Sequence, residues 1–152
     1  MTDRRFARMA LLLPQKATAR LFQAHAVLFG LGGVGSYAAE ALARLGVGRI
    51  TLVDADVVDE SNINRQLPAL GSTVGQSKVS VVSARLSDIN PQAVIEPIEA
   101  FYLPQSPVPI AQSADVVLDA IDTVSAKIDI AEKCAARNLP LISCMGMGNR
   151  LD

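Results

Sequence analysis

Six residues, Gly30-Leu31-Gly32-Gly33-Val34-Gly35, constrain the fold of this chain more than any others. They follow an apolar run, Ala26-Val27-Leu28-Phe29, and precede an amphipathic stretch over residues 36–45. Strand, glycine turn and helix in that order open a βαβ unit. Glycines let backbone N–H groups approach an anion that side chains would block, and the helix behind them adds a partial positive charge. By itself the spacing also suits a tight turn that only packs a helix on a sheet. The next apolar run, Arg49-Ile50-Thr51-Leu52-Val53, ends at Asp54, where a carboxylate can hold a ribose hydroxyl pair. Taken together, these features predict a nucleotide site.

The rest of the pattern extends this unit. The chain has 152 residues, enough for one substantial core. Half of them are hydrophobic, mostly Val, Ile, Leu and Ala, as suits parallel strands covered on both faces. Strands are expected at 25–29, 49–53, 94–98, 116–120 and 141–144, and helices at 36–45, 76–88 and 124–137. Residues 4–13 carry helical spacing (Phe6, Met9, Ala10, Leu13) up to Pro14, and a second short helix is expected over 15–23. A short helix is also expected at 110–112, after a loop holding Pro104, Pro107 and Pro109. The alternation predicts an α/β, Rossmann-like, doubly wound parallel sheet of order 3-2-1-4-5 with an N-terminal helical segment. Residues 1–24 read as a helical arm and residues 25–152 as the nucleotide-binding domain. The switch point lies between the first and fourth strands, so topology alone converges the glycine turn, Asp54, Asp119 and Asp122 on one crevice.

Composition excludes several classes. The formal net charge is −1, so nothing global points to nucleic acid. The first twenty residues nevertheless hold Arg4, Arg5, Arg8, Lys16 and Arg20 against Asp3 alone. Such a cluster reads as a solvated helix face, a phosphate-contacting arm or an RNA-facing edge. No apolar run reaches the ~18–20 residues of a membrane span, and no continuous apolar signal core follows the N-terminus, so a cytoplasmic location is expected. The two cysteines, Cys134 and Cys144, form no C-x-x-C pair, so no zinc site is indicated, and both read as packing thiols. His25, the single histidine, reads as structural.

The segment after the second strand selects the chemistry. It runs Asp54-Ala55-Asp56 through Ser61-Asn62-Ile63-Asn64-Arg65-Gln66 and on to Lys78. Phosphoryl or nucleotidyl transfer needs cations for the charge that builds on the α-phosphate and the departing pyrophosphate. Arg65 can fork onto phosphate oxygens, and Lys78 can supply a point charge. Asp122, in Asp119-Ala120-Ile121-Asp122-Thr123, can hold a magnesium ion that bridges phosphates. A nicotinamide enzyme would leave Arg65 and Lys78 unexplained.

These motifs together resemble the ThiF and MoeB-type, ubiquitin-activating-enzyme-like family of ATP-dependent activating enzymes, over nearly the whole chain. Within it the sequence is most similar to the tRNA threonylcarbamoyladenosine dehydratases, through residues 5–13, 37–48, 88–91 and 142–149. The resemblance implies an ATP loop of Gly30, Gly32, Gly33 and Gly35, ribose binding by Asp54, and a polar network through Asp56 and Asn62. It implies triphosphate binding by Arg65 and Lys78, ordering of the loop by Gln66, and a magnesium ion at Asp122. Arg8 matches an arginine that reaches the neighbouring subunit's ATP in related homodimers. The implied reaction is adenylation of the threonine carboxylate on tRNA carrying threonylcarbamoyladenosine, followed by ring closure with release of AMP. The same resemblance leaves open an adenylyltransferase acting on a ubiquitin-like sulfur-carrier partner, or a non-catalytic nucleotide-binding fragment. Family members continue beyond the equivalent of Asp152, so the chain reads as a truncated form of the family fold.

Overall fold

The computed structural model of the chain describes residues 3–144. Five parallel strands, β1 (His25–Phe29), β2 (Arg49–Val53), β3 (Val94–Ile98), β4 (Val116–Asp119) and β5 (Leu141–Ser143), form one sheet of order β3-β2-β1-β4-β5. Four α-helices connect or precede them: α1 (Gln15–Gln23), α2 (Gly35–Arg44), α3 (Lys78–Ile89) and α4 (Val124–Ala136). The expected doubly wound order is therefore the one observed. In β1, all five residues are buried, because it is central and covered on both faces.

Alternation along β1 sorts the core into two layers. Ala26 and Leu28 face α2 and α3, packing with Ala39, Ala43, Val79, Val82 and Leu86. Val27 and Phe29 face the opposite layer, with Val117, Ala126, Ile130 and Cys134. Each large side chain buried this way contributes about 1.5–3 kcal/mol relative to exposure. Cys134 is a buried free thiol in this second layer, and burial pushes its pKa up. It therefore serves as a small apolar group. Cys144 is half-buried; residues 145–149 of the resemblance lie outside the described residues.

Two expected helices differ. Residues 4–13 fold as 3-10 turns at Arg4–Phe6 and Met9–Leu11, with only Phe6 buried. Asp3 caps the first turn by accepting from the Arg5 backbone N–H, and Pro14, which cannot donate an amide, stands before α1. Residues 110–112 form no helix: the Arg137 guanidinium donates to the carbonyls of Ile110, Ala111 and Gln112, and Ala111 also accepts from the Ala114 amide in a single turn. These N-terminal turns rest where β1, β2 and β3 begin. Phe6 packs on Phe22 with ring centroids 5.2 Å apart, and both line a recess with Gly46, Gly48, Asn90 and Gln92. No helix among the described residues is long and apolar enough to cross a membrane.

Candidate nucleotide-binding site

β1 runs directly into the glycine turn. Gly30 sits at φ +88°, and a Cβ there would lie 2.8 Å from the Ala120 carbonyl oxygen. A Cβ on Gly35 would lie 1.8 Å from the Gly30 carbonyl oxygen. The fold itself therefore demands glycine at both positions. It makes no such demand at Gly32 or Gly33. A Cβ on Gly32 would meet Gln66 Nε2 at 3.9 Å, and one on Gly33 would meet the Arg65 carbonyl oxygen at 3.5 Å, which are ordinary contacts. What glycine preserves at 32 and 33 is room for something else to approach the turn where α2 begins.

The segment after β2 is seated on that turn. Ser36 Oγ donates to the Gly32 carbonyl at 2.7 Å and accepts from the Leu67 backbone N–H at 3.3 Å, clipping the two loops together. Asp59 and Asn62 form a capping box around the 3-10 turn Glu60–Asn62: the Asp59 carboxylate accepts from Ser61 N–H, and Asn62 Oδ1 accepts from Asp59 N–H. Asn62 is buried, and its carbonyl accepts from the Arg65 and Gln66 amides. Its part is thus to shape the loop that carries its neighbours.

That loop lays the Arg65 stem along Gly33, with Cγ 3.6 Å from the position of a Cβ there. The exposed guanidinium donates to the Ser61 carbonyl at 3.0 Å and to Asn64 Oδ1 at 2.9 Å. Gln66 is buried beside Gly32, and its Oε1 has no hydrogen-bond partner. A buried, unpaired amide oxygen at the edge of a glycine turn has acceptor capacity that a ligand hydroxyl or water can fill.

The acids tie the remaining cation in. Asp54 accepts from the Leu31 backbone N–H through Oδ2 at 2.6 Å and from the Asp56 N–H through Oδ1 at 2.8 Å. Asp56 in turn pairs with Lys78 Nζ at 2.8 Å, and its carbonyl accepts the Lys78 amide. Lys78 is 4% exposed while the Asp56 side chain is 61% exposed. A continuous chain of bonds therefore runs from the glycine turn through Asp54 and Asp56 to the ammonium at the start of α3. An ammonium has three donors, so the Asp56 pair leaves capacity for an oxyanion.

β4 supplies the opposite wall. Ala120 N–H donates to the Phe29 carbonyl at 2.8 Å, which holds the β4–α4 turn against the glycine loop. Asp119 is 1% exposed and fully engaged, accepting from Lys127 Nζ at 2.8 Å, Ser143 Oγ at 2.6 Å and Ile121 N–H at 3.2 Å. Asp122, in contrast, is exposed, with no ion pair among the described residues. No group of three His, Cys, Asp or Glu gathers among the described residues. A single exposed carboxylate such as Asp122 is chemically compatible with magnesium, which takes few protein ligands.

Arg8 is not brought to this site within the chain. It stands exposed on the N-terminal turns, which pack where the strands begin, whereas the glycine turn lies where they end. A groove of about 580 Å³ between those turns and α1, lined by Ala10, Leu13, Thr18 and Phe22 among others, contains none of the candidate residues. Sequence reasoning misses three residues here. Ser36 and Ser143 are small polar residues with no spacing signal. Lys127 has one: it falls among the core-facing positions of α4, beside Ala126 and before Ile130, and a cation there needs a buried acid.

A profile of the ThiF family matches residues 4–150. The tRNA threonylcarbamoyladenosine dehydratase of Bacillus subtilis (strain 168) is 46% identical over 148 residues, covering 97% of this chain and 58% of that protein. A crystal structure of the E. coli tRNA N6-threonylcarbamoyladenosine dehydratase in complex with ATP superimposes with a TM-score of 0.89 at 38% identity, covering 97% of this chain and 61% of that one. The same E. coli protein in complex with AMP gives a TM-score of 0.90 at 39% identity. The chain thus spans somewhat over half the length of these relatives. With a glycine turn, a seated arginine loop and a buried lysine arranged as described, the chain belongs to the ThiF family.

Proposed function

We propose that this chain carries the ATP site of an enzyme that adenylates a carboxylate, and that its substrate is tRNA bearing threonylcarbamoyladenosine. The observation that carries the reading is the seating of Arg65 and Gln66 directly on Gly32 and Gly33, the two glycines the fold does not itself require. The turn and the N-terminus of α2 receive phosphate oxygens, and Asp54 stands where the ribose hydroxyls lie. Arg65 and Lys78 neutralise the charge that develops as the threonine carboxylate oxygen attacks the α-phosphorus and the bond to the β-phosphate breaks. Pyrophosphate leaves with that bond's electron pair. The carbamoyl group then closes on the activated carbonyl and displaces AMP, a step that proximity accelerates without a side-chain nucleophile. Asp122 would hold a magnesium ion, which when bound would supply charge neutralisation to the triphosphate.

Arg8 fits this reading through a second copy. Its place on an arm remote from its own cradle supports a homodimer in which it reaches the partner's nucleotide. The dehydratase relatives favour the tRNA substrate over a sulfur-carrier protein. The test is transfer of label from pyrophosphate into ATP, with threonylcarbamoyl-tRNA present or absent, measured alongside ATP binding by calorimetry. Binding with tRNA-dependent exchange supports the full reading. Binding with exchange driven only by a Gly-Gly-ended carrier protein favours the sulfur-transfer alternative. Absence of ATP binding contradicts both.

A further inference from the structure

Lys127 is a buried cation that the proposed chemistry does not use, and its bonds are all made at the carboxyl ends of β4 and β5. Its side chain is 10% exposed, and that of its partner Asp119 is 0% exposed. The ammonium donates to Asp119 Oδ2 and to the Cys144 carbonyl oxygen, each at 2.8 Å. Ser143 Oγ donates to the same Asp119 oxygen. The other Asp119 oxygen accepts from the Ile121 backbone N–H, one residue before Asp122. One ammonium therefore ties the exit of β5 to the first bend of the turn that presents Asp122.

That turn also packs directly against the glycine loop. The Ala120 carbonyl and the Ile121 side chain are what a Cβ on Gly30 would strike, at 2.8 and 3.0 Å. A shift of residues 120–121 thus moves both the wall of the cradle and the carboxylate beyond it. A buried ion pair is a costly way to add stability, since a well-packed apolar pair does as well. What it adds is orientation: a bifurcated ammonium and a carboxylate with every oxygen engaged leave the turn one arrangement. We infer that Lys127 is a positioning residue for the nucleotide's cation, holding the β4–α4 turn so that Asp122 meets the metal-bound phosphates. This rests on the ATP reading above and adds to it a residue that touches no reactant.

The test compares wild type, Asp122→Asn, Lys127→Met and the charge-balanced double variant Asp119→Asn with Lys127→Met. The double variant is included because Lys127→Met alone strands a buried carboxylate and can fail to fold. Binding of ATP is titrated against magnesium concentration and repeated in chelator, and amide exchange is measured without nucleotide. The expected result is that the double variant keeps slow exchange at Leu28 and Val117 but exchanges faster at Ile121. It should bind ATP in chelator as wild type does, and need roughly tenfold or more magnesium for half-saturation, as outer-sphere changes at metal sites do. Asp122→Asn should show the same raised magnesium requirement with Ile121 exchange unchanged. A folded double variant with wild-type magnesium dependence overturns the proposal while leaving the ATP reading intact. Failure of wild type to bind ATP overturns the ATP reading, and the proposal with it.

Discussion

At Gly33 and Gly35 the same substitution should have opposite consequences. Gly35→Ala drives a methyl into the Gly30 carbonyl at 1.8 Å and should cost roughly 3 kcal/mol or more, or prevent folding. Gly33→Ala meets only ordinary contacts, so its melting temperature should stay within a few degrees of wild type while ATP affinity falls about tenfold or more. Thermal melting and calorimetry on the two variants check this; equal effects on both readouts would contradict the division of labour. Lys78→Met should likewise fold, because the Asp56 carboxylate it abandons is mostly in water, and should lose ATP affinity by a similar factor. These residues are legible in the sequence because their chemistry is unusual at their positions: four glycines in six residues, an arginine and a lysine behind a strand. Lys127 is legible only in part: its place among the core-facing positions of α4 calls for a buried acid, but which acid, Asp119 eight positions earlier across a strand-to-helix turn, is given only by the fold.

The strands are more legible in the sequence than the segments between them. The first three strands occupy the expected ranges and the last two end one residue early, because apolar runs bounded by turns leave little choice of register. Residues 110–112 depend on a guanidinium 25–27 residues away, a contact that local pattern does not contain. Arg137→Ala removes those bonds and leaves the Ile110 and Gln112 carbonyls to water, while Ala111 keeps the Ala114 amide, so it should destabilise by about 1–2 kcal/mol in urea unfolding. At the same end of the sheet, His25 links three strands and the loop before β4. Its Nε2 meets Thr51 Oγ1 at 2.8 Å and its Nδ1 meets Ser113 Oγ at 2.9 Å. Thr51 Oγ1 donates to Glu96 at 2.8 Å, which leaves it to accept from Nε2–H and fixes the neutral tautomer. Burial, and then the positive charge of Arg49, push the His25 pKa below its usual value; Glu96 and Asp115 oppose this. Below about pH 6.5 the unfolded chain thus binds the proton more readily than the folded one, so stability should fall as pH drops through that window and be complete above it. Denaturant unfolding at pH 5 and 7.5 should show the difference, and His25→Gln should reduce it.

Across the whole molecule, function follows from where the doubly wound order delivers its loops. The turns after β1, β2 and β4 carry the glycines, Arg65 with Gln66, and Asp122, and the order β3-β2-β1-β4-β5 places those turns side by side. The convergence of the turns follows from topology and could be anticipated; the clips that hold them, such as Ser36 to Leu67 and Asp54 to Leu31, could not, because they join residues 23–31 positions apart. The central claim is that a triphosphate lies in this cradle. Its most direct measurement is amide NMR of the isotopically labelled chain titrated with ATP and magnesium. The largest shifts are expected at Leu31, Gly32, Gly33 and Arg65. Shifts centred on the N-terminal groove, or none at the glycine turn at saturating nucleotide, would contradict it.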